Sequence, residues 1–398
     1  MSRIDACHDQ DDLRRLARRR LPKGIFEFID RGNEDEIAAS ENVRAFRRIK
    51  LLPRVLVDVS ARSTRTTLLG SEAAMPVAVA PTGAAGLVWH EGELAMARAA
   101  AAAGVPFTLA SGSMTAMEKI VRIEGIVPWF QCYVWQDRNL TFELIDRARK
   151  LGFRALFITV DNPVLSMRAY NARNGFGLPY VLNLRSSIDV LNRPGWLLGV
   201  LARYLVGGGM PRYVNYPASY QSAITTPTLS PRMLADSLTP DDLCRIRERW
   251  PGKLVVKGVL RPEDALRARG VGADAIVVSN HGGRNLDAAP APIDVVSAIR
   301  AAVGPHMEIL LDSGVRRGDD TLKALALGAN GVMVGRVPLL ATAAGGELGA
   351  RKSLSFLQSE LAAAMAYVGA ISTDHIAPDL ILGSSTATRH DSKMEEIA

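Results

Sequence analysis

The chain has 398 residues, 48% hydrophobic and 22% charged, with a formal net charge of +7. That composition is ordinary for a soluble globular protein and leaves room for one large α/β barrel or two to three smaller domains. Three cysteines (Cys7, Cys132, Cys244) without paired spacing argue against a disulfide framework and a structural zinc site, and no metal is expected. The first twenty residues are polar and charged, unlike a signal peptide, and no window has the length of apolar residues that a membrane span needs. A cytoplasmic protein is therefore expected. Basic residues are scattered, and the run "RRLARRRLPK" at 14–23 reads as a solvated helix face, so nucleic acid is not an expected partner. An anionic cofactor or an anionic membrane surface would use the same charge.

In chain order, residues 1–70 read as helices followed by a short β plug. Short apolar runs then recur at 76–81, 106–111, 128–134, 155–161, 253–258, 275–280, 308–313 and 331–336. Helix-like stretches such as "EGELAMARAAAAAG" (91–104) and "RGDDTLKALALGA" (317–329) lie between them. Near-continuous apolar strands alternating with helices predict a parallel sheet, and eight of them predict a closed (β/α)₈ TIM barrel beginning near residue 75. An open doubly wound sheet is the rival, but no GxGxxG follows the first strand. The stretch 162–252, between the fourth and fifth strands, is too long for a simple connection and reads as an insertion. Residues 1–383 are expected to form a single domain, and 384–398 a disordered tail.

In a (β/α)₈ barrel the site lies at the C-terminal strand ends. Those ends carry Pro81, Thr82 and Gly83, then Ser111, Gln131, Tyr133, Thr159 and Asp161; the later ones carry Lys257, His281, Arg284, Asp312, Gly335 and Arg336. One polar strand end is turn chemistry. A polar group at nearly every end is a site. In "IVVSNHGGRNLD" (276–287) an apolar run breaks into an imidazole, two glycines and a guanidinium. Neutral imidazole accepts a proton near neutral pH, and guanidinium holds a carboxylate through two parallel hydrogen bonds. Asp161 is placed to orient the imidazole. "LLDSGVRRGDD" (310–320) and "GVMVGR" (331–336) offer glycine amides with Arg316, Arg317 and Arg336, a phosphate-binding composition, though the same arginines could pair with surface acids. Lys257, pointing inward from the fifth strand, needs a negatively charged partner.

"SNHGGRNLD" (279–287) resembles the active-site signature of the FMN-dependent 2-hydroxy-acid oxidase/dehydrogenase family, which includes glycolate oxidase, lactate oxidase and (S)-mandelate dehydrogenase. "LPKGIFEFIDRGNEDE" (21–36), "APTG" (80–83), "WFQCYV" (129–134), "TVDNP" (159–163), "VKGV" (256–259), "DSGVRRG" (312–318) and "ALALGANGVMVGR" (324–336) follow in family order. The resemblance implies oxidation of an (S)-2-hydroxy acid, mandelate-like or lactate-like, to the 2-oxo acid. It implies His281 as base, supported by Asp161, with Arg284 and Arg168 on the substrate carboxylate and Tyr133 on the hydroxyl. It places Pro81, Thr82, Gly83, Ser111, Gln131, Thr159 and Lys257 around FMN's ring system. Asp312, Ser313, Gly314, Arg316, Gly335 and Arg336 would hold its ribityl and phosphate. The acceptor is quinone or another carrier, with a peroxide-producing, oxygen-using oxidase as the alternative, and a homotetramer is implied.

Departures from the family pattern shape the substrate expectation. Phe28 stands where the family usually has a tyrosine near the substrate carboxylate, Asn285 where it has glutamine, and Gly112 where glycolate oxidase has tryptophan. Gly83 and Ser313 resemble the mandelate branch, so a larger, aromatic 2-hydroxy acid is expected. The segment "RPGWLLGVLARYLVGGGMPRYVNY" (193–216) opens on proline and ends its helix in a glycine run. With Trp196, Leu197, Leu198, Val200, Leu201, Tyr204 and Leu205 it reads as an interfacial helix in peripheral contact with the inner membrane face, or as a lid or subunit contact.

Overall fold

A computed structural model describes residues 3–164, 166, 168–177, 179–181, 183–216, 220–225 and 235–383. The tail expected to be disordered lies outside the described residues. Two short antiparallel strands come first, β1 (Thr66–Leu68) and β2 (Ser71–Ala73). Eight strands then follow: β3 (Val77–Val79), β4 (Phe107–Ala110), β5 (Pro128–Tyr133), β6 (Ala155–Thr159), β7 (Lys253–Val259), β8 (Ala275–Val278), β9 (Glu308–Leu311) and β10 (Gly331–Val334). They pair in parallel in the order β10-β3-β4-β5-β6-β7-β8-β9 and close into a barrel. The expected (β/α)₈ architecture is present, with the strands where the apolar runs lie.

Two-residue alternation decides what points inward. Ala78 and Ala80, Trp129, Ala155 and Phe157, Val255, Ala275 and Val277, Leu310 and Met333 form one buried cluster inside the barrel. The β1–β2 hairpin adds Leu68, Leu69 and Ala73 to it and plugs one end. Continuing the same alternation toward the open end reaches Thr82, Gln131, Tyr133, Thr159, Lys257, Ser279, Asp312 and Gly335. In register, Tyr133 lies beside Thr159 and Thr159 beside Lys257, so the three share a level of the rim. The apolar interior thus ends in a polar ring for a purely geometric reason.

The N-terminal extension reaches that rim. Helix α1 (Gln10–Arg20) packs along the long C-terminal helical stretch Arg336–Tyr367, which breaks at Gly345 and Gly346. Helix α2 (Lys23–Asp30) presents its C-terminal carbonyls to the site, where Phe28 O and Arg31 O accept from Arg284 and Ile29 O and Arg31 O accept from Arg336. Unpaired carbonyls at a helix end carry partial negative charge and favour cations there. Helix α3 (Ile37–Arg48) lies directly on the loops after β8 and β9: a Cβ on Gly283 would stand 2.4 Å from Ala39 N, and one on Gly314 2.2 Å from Asn42 O. Buried Asn42 exchanges two amide hydrogen bonds with Asn280, at 2.9 and 2.7 Å. Because Gly314 also has φ +105, Gly314→Ala should destabilise the protein by at least about 2 kcal/mol, read as a drop in chemical-denaturation midpoint.

Candidate active site

Strand β8 ends at Val278, and the backbone then takes three consecutive left-handed residues, His281 (φ 59), Gly282 (φ 70) and Gly283 (φ 69). A histidine costs free energy there, so the surroundings must hold it. Ser279 Oγ accepts from His281 N–H (3.0 Å), Ser313 Oγ from Gly282 N–H (2.8 Å), and Asn280 Oδ1 from Gly283 N–H (3.0 Å). The turn aims the imidazole at Asp161, with Nδ1 and Oδ1 2.9 Å apart. Gly258 (φ +109) makes room, since a Cβ there would lie 2.5 Å from Asp161. Burial pushes the Asp161 carboxyl up, but the charge and hydrogen bond of His281, with the charge of Lys257, outweigh it and hold the pKa below the ordinary range. An ionised Asp161 accepts Nδ1–H, which leaves the lone pair on Nε2. That nitrogen faces Tyr133 Oη at 3.4 Å.

Beside this pair, Arg168 and Arg284 converge. Arg168 Nη2 donates to Arg284 O at 3.3 Å, and both guanidinium groups lie against the Phe28 ring, at 5.8 and 5.3 Å from its centroid. Burial and the nearby charges of Arg168 and Arg336 push the Arg284 pKa well below its usual value. Burial and the charge of Arg316 bring that of Arg336 down to about 10. Among the described residues none of Arg168, Arg284, Arg316 and Arg336 has a carboxylate within ion-pair distance, and Arg168 Nε is buried without a partner. Buried cations this crowded call for anions.

Lys257 is different. Its Nζ forms a buried ion pair with Asp312 Oδ2 at 2.7 Å and donates to Ser279 Oγ at 2.9 Å. Burial depresses its pKa, but Asp312 and Asp161 together raise it above the ordinary lysine value, so the ammonium stays charged at the cavity floor. Asp312, expected only near the ribityl chain, is therefore the partner that this buried lysine required.

These groups surround one cavity of about 380 Å³. Its wall takes in Phe28, Pro81, Thr82, Gly83, Gln131, Tyr133, Thr159, Arg168, Lys257, His281, Arg284, Asp312, Ser313, Gly314, Arg316, Gly335 and Arg336. The family profile of the FMN-dependent dehydrogenases matches residues 17–382. The chain belongs to that family. It is 41% identical to the L-lactate oxidase of Nostoc sp. over 93% of this chain and 96% of the relative. It is 36% identical to the (S)-mandelate dehydrogenase of Pseudomonas putida over 93% of each chain. The solved structure of a monotopic membrane protein, (S)-mandelate dehydrogenase, superposes with a TM-score of 0.89 at 36% identity, covering 95% of this chain and all of that one. This member of the FMN-dependent family is an oxidoreductase acting on 2-hydroxy acids, and FMN is its cofactor.

The residues fit that group. Alternating polar side chains and bare glycines line a floor of Ala80, Ala110 and Met333, while the arginine-rich end combines Arg316 and Arg336 with the backbone at Gly314 and Gly335. Ser111 Oγ is buried with no hydrogen-bond partner among the described residues. Two expected residues nevertheless stand behind the cavity wall rather than in it. Ser111 is off the inward alternation, which continues from Ala110 to Gly112, and Asp161 is joined to the wall by its hydrogen bond with His281.

The interfacial reading of 193–216 needs correction in part. Trp196 and Val200 are buried, with Trp196 Nε1 donating to Leu87 O at 2.7 Å, and Tyr204 Oη accepts from Glu91 N–H at 3.1 Å. The end of the segment carries Tyr213 and Tyr216 into the cavity wall. No periodicity marks these tyrosines, because the chain there is neither strand nor helix. Lys257→Met should leave Asp312 buried and unpaired and cost the apoprotein about 3–5 kcal/mol in chemical denaturation.

Proposed function

We propose that the protein is an FMN-dependent (S)-2-hydroxy-acid dehydrogenase whose preferred substrates carry an aromatic C2 substituent. The observation that carries the reading is the pair His281–Asp161, with Nε2 facing Tyr133 Oη in the cavity and two guanidinium groups lacking carboxylate partners. Arg284 and Arg168 bind the substrate carboxylate in place of the anion that they lack. Tyr133 donates to the 2-hydroxyl, burial holding its own phenol well above the ordinary pKa and so protonated. As the substrate's C2–H and O–H bonds give way to the carbonyl, His281 Nε2 takes one proton, the other proton and the two electrons would go to the acceptor that FMN provides, and ionised Asp161 stabilises the resulting imidazolium. FMN, when bound, supplies the two-electron sink. Thr82, Gln131, Thr159 and Lys257 would flank its ring system and Arg316, Arg336, Gly314 and Gly335 its phosphate end. Phe28 brings a ring but no hydroxyl to the carboxylate clamp, and Asn285 Nδ2 donates to Asp161 O at 2.6 Å, a supporting position. Gly83 and Gly112 leave the C2 substituent room.

Electrons pass on to quinone or another carrier, with oxygen as the alternative acceptor. No helix among the described residues is long and apolar enough to cross a membrane. Leu184, Ile188, Leu191, Leu198, Leu205 and Val206 are nonetheless each at least 50% exposed, and Arg185 and Arg203 are exposed beside them in sequence. Such a surface supports peripheral contact with the inner face of the cytoplasmic membrane. Residues 1–383 act as one domain, and the resemblance supports a homotetramer.

An anaerobic visible spectrum tests the reading. The yellow protein should bleach quickly with (S)-mandelate and slowly with L-lactate, and recolouring on admission of air should be slow for a dehydrogenase. A yellow protein that neither acid bleaches overturns the substrate class. His281→Gln should slow bleaching by at least about 10³-fold. Asp161→Asn, which removes the charge that orients and stabilises the imidazolium, should slow it by about 10²–10⁴-fold in stopped-flow traces while FMN stays bound.

A further inference from the structure

The insertion between β6 and β7 places Tyr213 and Tyr216 in the cavity wall, their rings stacked with centroids 5.0 Å apart. Between them in sequence stands Asn215, fully buried and absent from that wall. Its Nδ2 donates to Ser113 Oγ at 2.6 Å and to Thr115 O at 2.7 Å, and its Oδ1 accepts from Met117 N–H at 2.9 Å. Both amide hydrogens are used, so the side chain has one orientation. The segment it grips is also held by buried Glu93, which accepts from Met114 N–H and Thr115 Oγ1, both at 3.0 Å. One amide therefore fastens the insertion to the loop after β4, a few residues beyond Gly112.

Gly112 gives that fastening a purpose. A Cβ on Gly112 would meet Tyr216 Oη at 3.4 Å, so the tyrosine stands over the bare backbone of residue 112. Trp135 backs the Tyr216 ring edge-on, with centroids 5.0 Å apart. Residue 112 yields its volume, and a residue more than a hundred positions later fills part of it. A wall built this way depends on whatever holds the insertion in register with the barrel.

We propose that Asn215 is a positioning residue that sets substrate specificity, holding Tyr216 over Gly112 as the wall against which the C2 substituent packs. The inference rests on the reading given under Proposed function. With the carboxylate on Arg284 and Arg168 and the hydroxyl between His281 and Tyr133, the substituent is left to face Gly83, Gly112 and Tyr216. An aromatic side chain in that wall favours an aromatic substituent through ring contacts. Asn215 itself touches no reacting atom.

The test uses FMN-loaded protein and two ligands followed through flavin absorbance. Benzoylformate carries a planar substituent, while oxalate has none and needs only the carboxylate clamp. Asn215→Leu, similar in volume but unable to make the three hydrogen bonds, should weaken benzoylformate by about tenfold or more and leave oxalate within about twofold. Ser113→Ala, which removes one partner of Nδ2 and keeps the rest, should shift the ratio in the same direction by a smaller factor and guards against a misfolded Asn215→Leu. Equal weakening of both ligands, or an unchanged ratio in both variants, overturns the inference. Wild-type protein that binds oxalate but not benzoylformate also overturns it and leaves the hydroxy-acid reading standing. Wild-type protein that binds neither overturns that reading, and this inference with it.

Discussion

The close seat of helix α3 on the loops after β8 and β9 is the constraint from which the rest of the site follows. Gly283 and Gly314 cannot carry a side chain without meeting Ala39 or Asn42, and the reciprocal amide pair Asn42–Asn280 locks the approach. With that loop clamped, His281 stays in a left-handed conformation that it would not hold alone. In that conformation Nδ1 reaches Asp161, leaving Nε2 for the cavity. The N-terminal extension thus helps to build the candidate site. Its helix α2 also receives Arg284 and Arg336 on its terminal carbonyls and supplies Phe28 to the wall.

Electrostatics divides the cavity into two kinds of positive charge. Lys257 is compensated by Asp312 within the protein, so its ammonium is settled before any ligand arrives. None of the four arginines has a carboxylate in ion-pair contact among the described residues, and burial depresses the pKa of each although Asp30 offsets part of that for Arg316 and Arg336. Helix-end carbonyls ease that cost without removing it. Anionic ligands relieve it, which couples binding of phosphate and carboxylate to the stability of the folded barrel.

Much of the site was legible because barrel geometry converts strand ends into a rim. Thr82, Gln131, Tyr133, Thr159, Lys257, Asp312 and Gly335 are at two-residue steps from apolar interior residues, and the same periodicity that predicts a strand predicts where they point. Ser111 shows the limit of that reasoning. It is one residue off the inward alternation, so it stands behind the wall and Gly112 faces the cavity. Asp312 was legible as a rim residue but not as the partner of Lys257, since β8 separates their two strands and the pairing depends on side-chain reach rather than on register.

The sequence by itself determined the barrel, the order of its strands, the place of His281 and Arg284 at its rim, and the family, because each is written in local periodicity or in short contiguous motifs. Tertiary structure alone decided how the left-handed turn is clamped, which carboxylate satisfies the buried lysine, and which part of the insertion closes the cavity. Tyr213, Asn215 and Tyr216 lie in irregular backbone, where no repeat announces direction, and their partners at Gly112, Ser113 and Met117 are about a hundred residues away. Contacts of that kind are set by how the chain returns to itself, and only the folded molecule brings their two halves together.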